Sequence, residues 1–146
     1  MSNPCLEYAI SYLARYPKTE QEMSILLYRK GYNTEQIRTT MASLKNNHFI
    51  DDEKYAESYL YSEIVKKGKP TFLITQKLQQ RGIDKTLTQR LIEEMHDDIN
   101  EGITKGIRKN IETYKKKGVE GFEIIQKLMK KGYPLATIKA VIQQGK

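Results

Sequence analysis

The chain has 146 residues, 38% hydrophobic and 29% charged, a balance that can bury a moderate core and argues against disorder. Its apolar residues fall in short clusters far below the roughly 18 needed to cross a bilayer, and Met1–Pro17, broken by Glu7 and by Tyr and Arg residues, lacks the apolar stretch of a secretory leader; the expectation is a cytoplasmic protein without membrane contact. Cys5 stands alone, which excludes an intramolecular disulfide and a multi-cysteine metal site, and His48 and His96 read as surface or helix-end groups, so neither metal nor cofactor is assigned.

From the N-terminus, Leu6, Ile10 and Leu13 mark the apolar stripe of a first helix. Thr19 with Glu22 has the spacing of a capping box and opens a second, carried by Met23, Leu26 and Leu27. Asn33 with Gln36 opens a third, carried by Ile37, Met41 and Leu44. The same three-helix order returns with Tyr55, Ala56, Tyr59, Leu60 and Ile64, then Ile74 and Leu78, then Leu87, Leu91, Ile92 and Met95. A third round has Ile99, Ile103, Ile107 and Ile111, then Ile124, Ile125 and Leu128, then Ile138, Val141 and Ile142. Nothing alternates at period two for long enough to indicate a sheet, and the spacing predicts nine helices of roughly 10 to 15 residues.

The helix stops show the repeat most clearly. Leu27 to Tyr32, Leu78 to Ile83 and Leu128 to Tyr133 share the pattern of a Leu, a basic residue, a Gly and a Tyr or Ile. With Gly31, Gly82 and Gly132 at C′, the Leu is C3 and the Tyr or Ile is C″, the hydrophobic pair of a Schellman motif. Lys30, Arg81 and Lys131 stand where the helix dipole favours a cation. Gly68 and Gly118 end the opening helices of the second and third units, and Pro70 and Pro134 stand just past such stops. The fold expected is therefore all-α, three tandem three-helix repeats at residues 1–50, 51–96 and 97–146, stacked into an elongated, curved helical array because each unit is too small to bury its faces alone.

The search for chemistry is negative. No phosphate-gripping glycine loop, nucleophile elbow or zinc-binding helix occurs. Asp51-Asp52-Glu53 and Asp97-Asp98 fit first-turn acids that cap and complement a helix, with no histidine or second acidic pair beside them, so the chain is expected to be a binding protein and not an enzyme. Tyr8, Tyr12 and Tyr16 share a helical face; they could stack on bases, but covering the edge of the first bundle is the reading preferred, since this third of the chain has no surplus of Lys and Arg.

Charge is unevenly placed. Residues 1–100 carry 14 Lys/Arg against 14 Asp/Glu, whereas residues 101–146 carry 11 against 4, which puts the whole net charge of +7 in the last third. A polyanionic partner fits this asymmetry, although charge alone is more simply a solvated lysine-rich surface. Lys66, Lys67 and Lys69 surround one helix stop and Lys115, Lys116 and Lys117 the matching stop of the next unit, so stacking could set both clusters on one ridge. Lys77 and Arg81, and Lys130 and Lys131, in the helices that end at Gly82 and Gly132, complete the candidate partner- or DNA-binding set.

Phe49-Ile50-Asp51-Asp52-Glu53-Lys54-Tyr55-Ala56-Glu57-Ser58-Tyr59, followed by Lys66-Lys67-Gly68-Lys69-Pro70, Ile74, Leu78 and Arg81-Gly82-Ile83, resembles the signature of the RecX family of bacterial recombination regulators. The resemblance implies a protein that binds the RecA recombinase, usually as its filament on single-stranded DNA, lies along the filament groove, and restrains ATPase activity, growth and strand exchange in DNA repair, homologous recombination and the SOS response. It implies no catalytic residues. The family commonly has arginines where this sequence reads Tyr61-Ser62-Glu63, so an interaction made by those arginines would be absent or reversed. The alternative is a helical module that binds nucleic acid directly, without a recombinase partner, because short helices joined by glycine turns can present a recognition helix.

Overall fold

The structure, a computed structural model, describes residues 3–145, and among them all regular structure is helical. The first unit holds α1 (Pro4–Arg15), α2 (Glu20–Arg29) and α3 (Thr34–Asn46). The second holds α4 (Asp52–Leu60), which runs on into a π-helical segment at Tyr61–Lys66, then α5 (Thr71–Gln80) and α6 (Lys85–Glu94). The third holds α7 (His96–Lys116), α8 (Phe122–Lys131) and α9 (Leu135–Gln144). No helix is long and apolar enough to cross a membrane.

Local chemistry sets the ends. Both capping boxes form, with Thr19 and Asn33 each accepting from the N3 amide while Glu22 and Gln36 reach back to the N-cap amide. Asp51 caps α4 by accepting from the Lys54 amide at 3.1 Å. At the three glycine stops the amides of Tyr32, Ile83 and Tyr133 donate to the carbonyls of Leu27, Leu78 and Leu128 at 3.3, 3.0 and 3.2 Å, the six-to-one bond of the Schellman motif. Positive φ values of 96°, 89° and 114° at Gly31, Gly82 and Gly132 make the reversal.

Two departures from the sequence reading have physical causes. α7 spans 21 residues instead of 10 to 15, because only Met95 separates it from α6 and its isoleucines at four-residue intervals keep one face apolar throughout. α3 also ends in a Schellman turn, with the Phe49 amide donating to the Leu44 carbonyl at 2.8 Å, but its C′ residue is His48 at φ 60°. A side chain in the left-handed region is strained, so His48→Gly is expected to raise stability by about 0.5–1 kcal/mol after the extra chain entropy of glycine is subtracted. Denaturant titration checks this; a lower midpoint for the variant would mean that the imidazole makes an interaction outweighing the strain.

The core has two parts. Cys5, Ala9, Met23, Leu27, Met41 and Leu44 of α1 to α3, with Ile50 just after α3, form one cluster. A larger one runs without interruption through α4 to α9, from Ala56, Leu60 and Ile64 to Ile107, Leu128, Tyr133 and Ile138. The 17.0 kDa chain exposes 9784 Å², against roughly 7700 Å² for a compact globule of that mass, the excess expected of units stacked in a row.

The second and third units meet backbone to backbone. A Cβ built on Gly102 would lie 2.5 Å from the Ile64 carbonyl oxygen and 2.7 Å from Val65 Cα, and one on Gly68 would lie 2.5 Å from Gly106 Cα. Only hydrogen fits at these positions. Buried Tyr133 closes the junction by donating its hydroxyl to the Gly68 carbonyl.

Candidate functional site

The lysines of the middle unit are placed by the π-helical segment and the turn after it. Between Tyr55 and Gly68 the chain takes one residue more than between Gly106 and Gly118 of the third unit, and the wide π turn absorbs that residue. Lys67 and Lys69, on either side of Gly68, then open onto a cleft whose far wall is Lys109, Asn110 and Thr113 of α7 and Lys131 of α8. Four lysines thus line one cleft at the junction of two units.

Their charge is partly held in place. Glu63, only 8% exposed, accepts from Lys67 Nζ at 2.7 Å and from Lys69 Nζ at 2.9 Å. Hydrogen bonds from Lys67 and Lys69 keep the Glu63 carboxyl below the usual carboxylate range. Lys131 Nζ donates to Asn110 Oδ1 at 2.6 Å and sits 5.6 Å from the centre of the Tyr114 ring, while Asn110 in turn donates to the Gly106 carbonyl at 2.8 Å. The cleft is therefore a net-cationic pocket with one internal counter-charge, suited to an anion that can compete with Glu63 for the two lysines.

The other expected residues lie elsewhere. Lys66 covers the Tyr61 ring at 5.6 Å. Arg81 donates to the Tyr55 hydroxyl at 2.6 Å and stacks 4.6 Å above Tyr59, a packing arrangement that holds α4 against the end of α5. Lys115, Lys116 and Lys117 end α7, roughly 15 Å beyond Gly106 at the rise of a helix; Lys116 pairs with Glu112 at 3.6 Å. Lys130 is exposed and Lys77 half-buried.

A second cleft repeats the first. A shift of 51 residues carries Tyr55, Ser58, Tyr59 and Ser62 onto Gly106, Lys109, Asn110 and Thr113, and Lys18 onto Lys69. Between the first and second units the cleft is floored by Leu13, Pro17, Tyr55 and Tyr59, with Phe49 48% exposed at its rim. Tyr55 stands at the position that Gly106, which permits close approach, holds at the other junction. The segment resembling the family signature therefore lines a groove.

Sequence reading found Lys67, Lys69 and Lys131 but missed Lys109, Glu63 as their partner, and the glycines that seat α7. The last were detectable: two glycines four apart inside a helix cost about 1 kcal/mol each in propensity and so point to a close backbone approach.

Two family descriptions match the chain, "RecX, first three-helix domain" over residues 5–44 and "RecX, second three-helix domain" over residues 51–91. This chain belongs to the RecX family. Regulatory protein RecX of Oceanobacillus iheyensis is 29% identical over 140 residues, covering 92% of this chain and 51% of that protein. The Staphylococcus epidermidis protein of the same name is 30% identical over 139 residues, covering 93% of this chain and 52% of its own. The chain thus spans about half the length of these relatives. The crystal structure of RecX from Lactobacillus salivarius superposes with a TM-score of 0.83 at 20% identity, over 97% of this chain and 94% of that one, which shows a shared fold.

Proposed function

We propose that this RecX-family chain is a cytoplasmic, non-catalytic regulator that binds a RecA recombinase filament on single-stranded DNA and restrains its ATPase, growth and strand exchange. In this reading the three units at 1–50, 51–96 and 97–146 form a continuous binding surface long enough to touch more than one protomer of a filament. The observation that carries it is the cleft of Lys67, Lys69, Lys109 and Lys131, a cationic pocket on a regulator's scaffold suited to phosphate or to an acidic protein surface. Tyr61-Ser62-Glu63 supplies no arginine here, and Glu63 instead moderates the two lysines beside it.

The same lysines favour a second reading, direct binding of nucleic acid without a recombinase. The rate of DNA-dependent ATP hydrolysis by the cognate RecA separates the two. A fall at amounts of this chain well below those that coat the DNA is the expected result. An unchanged rate, with the chain bound to bare single strands and affinity falling steeply with salt, would replace the first reading by the second.

A further inference from the structure

The clefts at the two junctions match in position and differ in chemistry. The second is lined by lysines. The first, of about 560 Å³, falls in the range of sites that take a small ligand, roughly 300–1,000 Å³, and its apolar lining is chiefly aromatic. Tyr55 and Tyr59 stand one turn apart on α4, so both rings reach the same groove, their centres 6.3 Å apart and their planes 9° apart. Arg81 braces the pair from the end of α5, donating to the Tyr55 hydroxyl at 2.6 Å and lying 4.6 Å from the centre of the Tyr59 ring. These half-buried rings are thus held before a ligand arrives, and little freedom remains to be lost on binding. Phe49 adds an exposed ring at the rim. The charge around the rings is mostly positive: Lys18 and Lys54 share the groove with one carboxylate, Asp51, which is taken up in capping α4 through the Lys54 amide. Among the described residues neither lysine pairs with a carboxylate. Ser58 and Ser62, also in the lining, offer hydroxyls that donate and accept.

We infer that this groove takes an unpaired base of single-stranded DNA, the base against Phe49, Tyr55 and Tyr59 and the neighbouring phosphates at Lys18 and Lys54. Flat rings beside cations suit such a ligand, because every base has a face to stack and a charge on either side of it. An acidic peptide would meet the same two lysines. The parallel, braced rings and the hydroxyls beside them favour the base, which is flat and carries donors and acceptors along its edge. The inference rests on the reading that the chain meets single-stranded DNA, alone or in a recombinase filament, and divides the work between the junctions: the lysine cleft holds backbone, and the aromatic groove holds a base.

Two strands of equal length and charge, an oligothymidine and its abasic counterpart, test it by fluorescence anisotropy with the full chain at one low salt concentration. The thymidine strand is expected to bind roughly tenfold more tightly, as stacking of a base on aromatic rings implies. Phe49→Ala, at an exposed position that leaves the fold intact, should lower that ratio severalfold without changing affinity for the abasic strand. Tyr59→Leu should do the same, whereas Tyr59→Phe, which keeps the ring, should keep the ratio. With 5-iododeoxyuridine in the strand, ultraviolet cross-links should map to residues 49–59. Equal affinity for the two strands, the result expected of a groove that holds an acidic peptide, would overturn the inference. So would no binding of either strand, a ratio that Phe49→Ala leaves unmoved, or cross-links confined to other segments. None of these readouts involves a recombinase, so the ATPase measurement can fail while the inference stands, and the reverse.

Discussion

Gly106→Val is expected to remove at least about 3 kcal/mol of stability, a large share of the 5–15 kcal/mol typical of a domain. A Cβ at this position lies 2.8 Å from Gly68 Cα, so the added atoms meet backbone and cannot be accommodated by rotating a side chain. The opposite result would follow if α7 stood clear of the turn, since glycine inside a helix is worse than alanine by about 1 kcal/mol. Gly106→Ala therefore gives the sharper sign: the midpoint of denaturant unfolding should fall. A raised midpoint for Gly106→Ala would mean that α7 does not touch the turn at Gly68.

Replacing Lys67, Lys69, Lys109 and Lys131 together by Gln should weaken binding to single-stranded DNA or to a recombinase filament on it by well over tenfold. Each lysine–phosphate pairing removed lowers the slope of log affinity against log salt by about 0.7 on single strands, so the full set lowers it by up to about 3. Glu63→Gln should act in the other direction, because it frees Lys67 and Lys69 for an incoming anion and removes the one negative charge beside the cleft. The sign with pH follows. The Glu63 carboxyl titrates below its ordinary value through hydrogen bonds from Lys67 and Lys69, so its stabilising pairing is complete above that ordinary value and disappears only as the pH falls through the lowered one. At neutral pH the wild type keeps its counter-charge, and only the variant shows the stronger binding. Fluorescence anisotropy over a salt series reads both effects. A folded four-Gln protein with wild-type affinity and slope would put the binding surface elsewhere, and Lys115, Lys116 and Lys117 replaced by Gln would then be the informative comparison.

The helices were legible because their signals are local. Thr19 with Glu22, Asn33 with Gln36 and the three glycine stops each depend on atoms within one turn, and each forms the hydrogen bonds that its spacing implies. His48 reads only as a surface or helix-end group, because a non-glycine residue at C′ carries no sign of the left-handed turn that it makes. The cleft was half legible. Lys67 and Lys69 announce themselves as a basic run, but Lys109 joins them only because Gly102 and Gly106 bring α7 against the π turn, a meeting of residues about 40 apart. Glu63 appears in the sequence only as part of a stretch that lacks the family's arginines, and its place between two lysines depends on the turn that follows.

The division of the core bears on how the molecule loses its structure. Among the described residues no buried apolar cluster bridges α3 and α4 as one does α6 and α7; polar bonds such as the Glu20 amide to Asp52 at 2.9 Å, together with the packing at Gly82, join the first unit to the rest. Opening of α1 to α3 exposes only their own small core, whereas opening any helix from α4 to α9 breaks into a cluster shared by six. The chain is thus expected to unfold as two cooperative units of unequal size. Amide protons in α1 to α3 are expected to exchange through a lower-energy partial opening than those of α4 to α9, and heat absorption on melting is expected to spread beyond what a single all-or-none transition allows, which hydrogen exchange and calorimetry check.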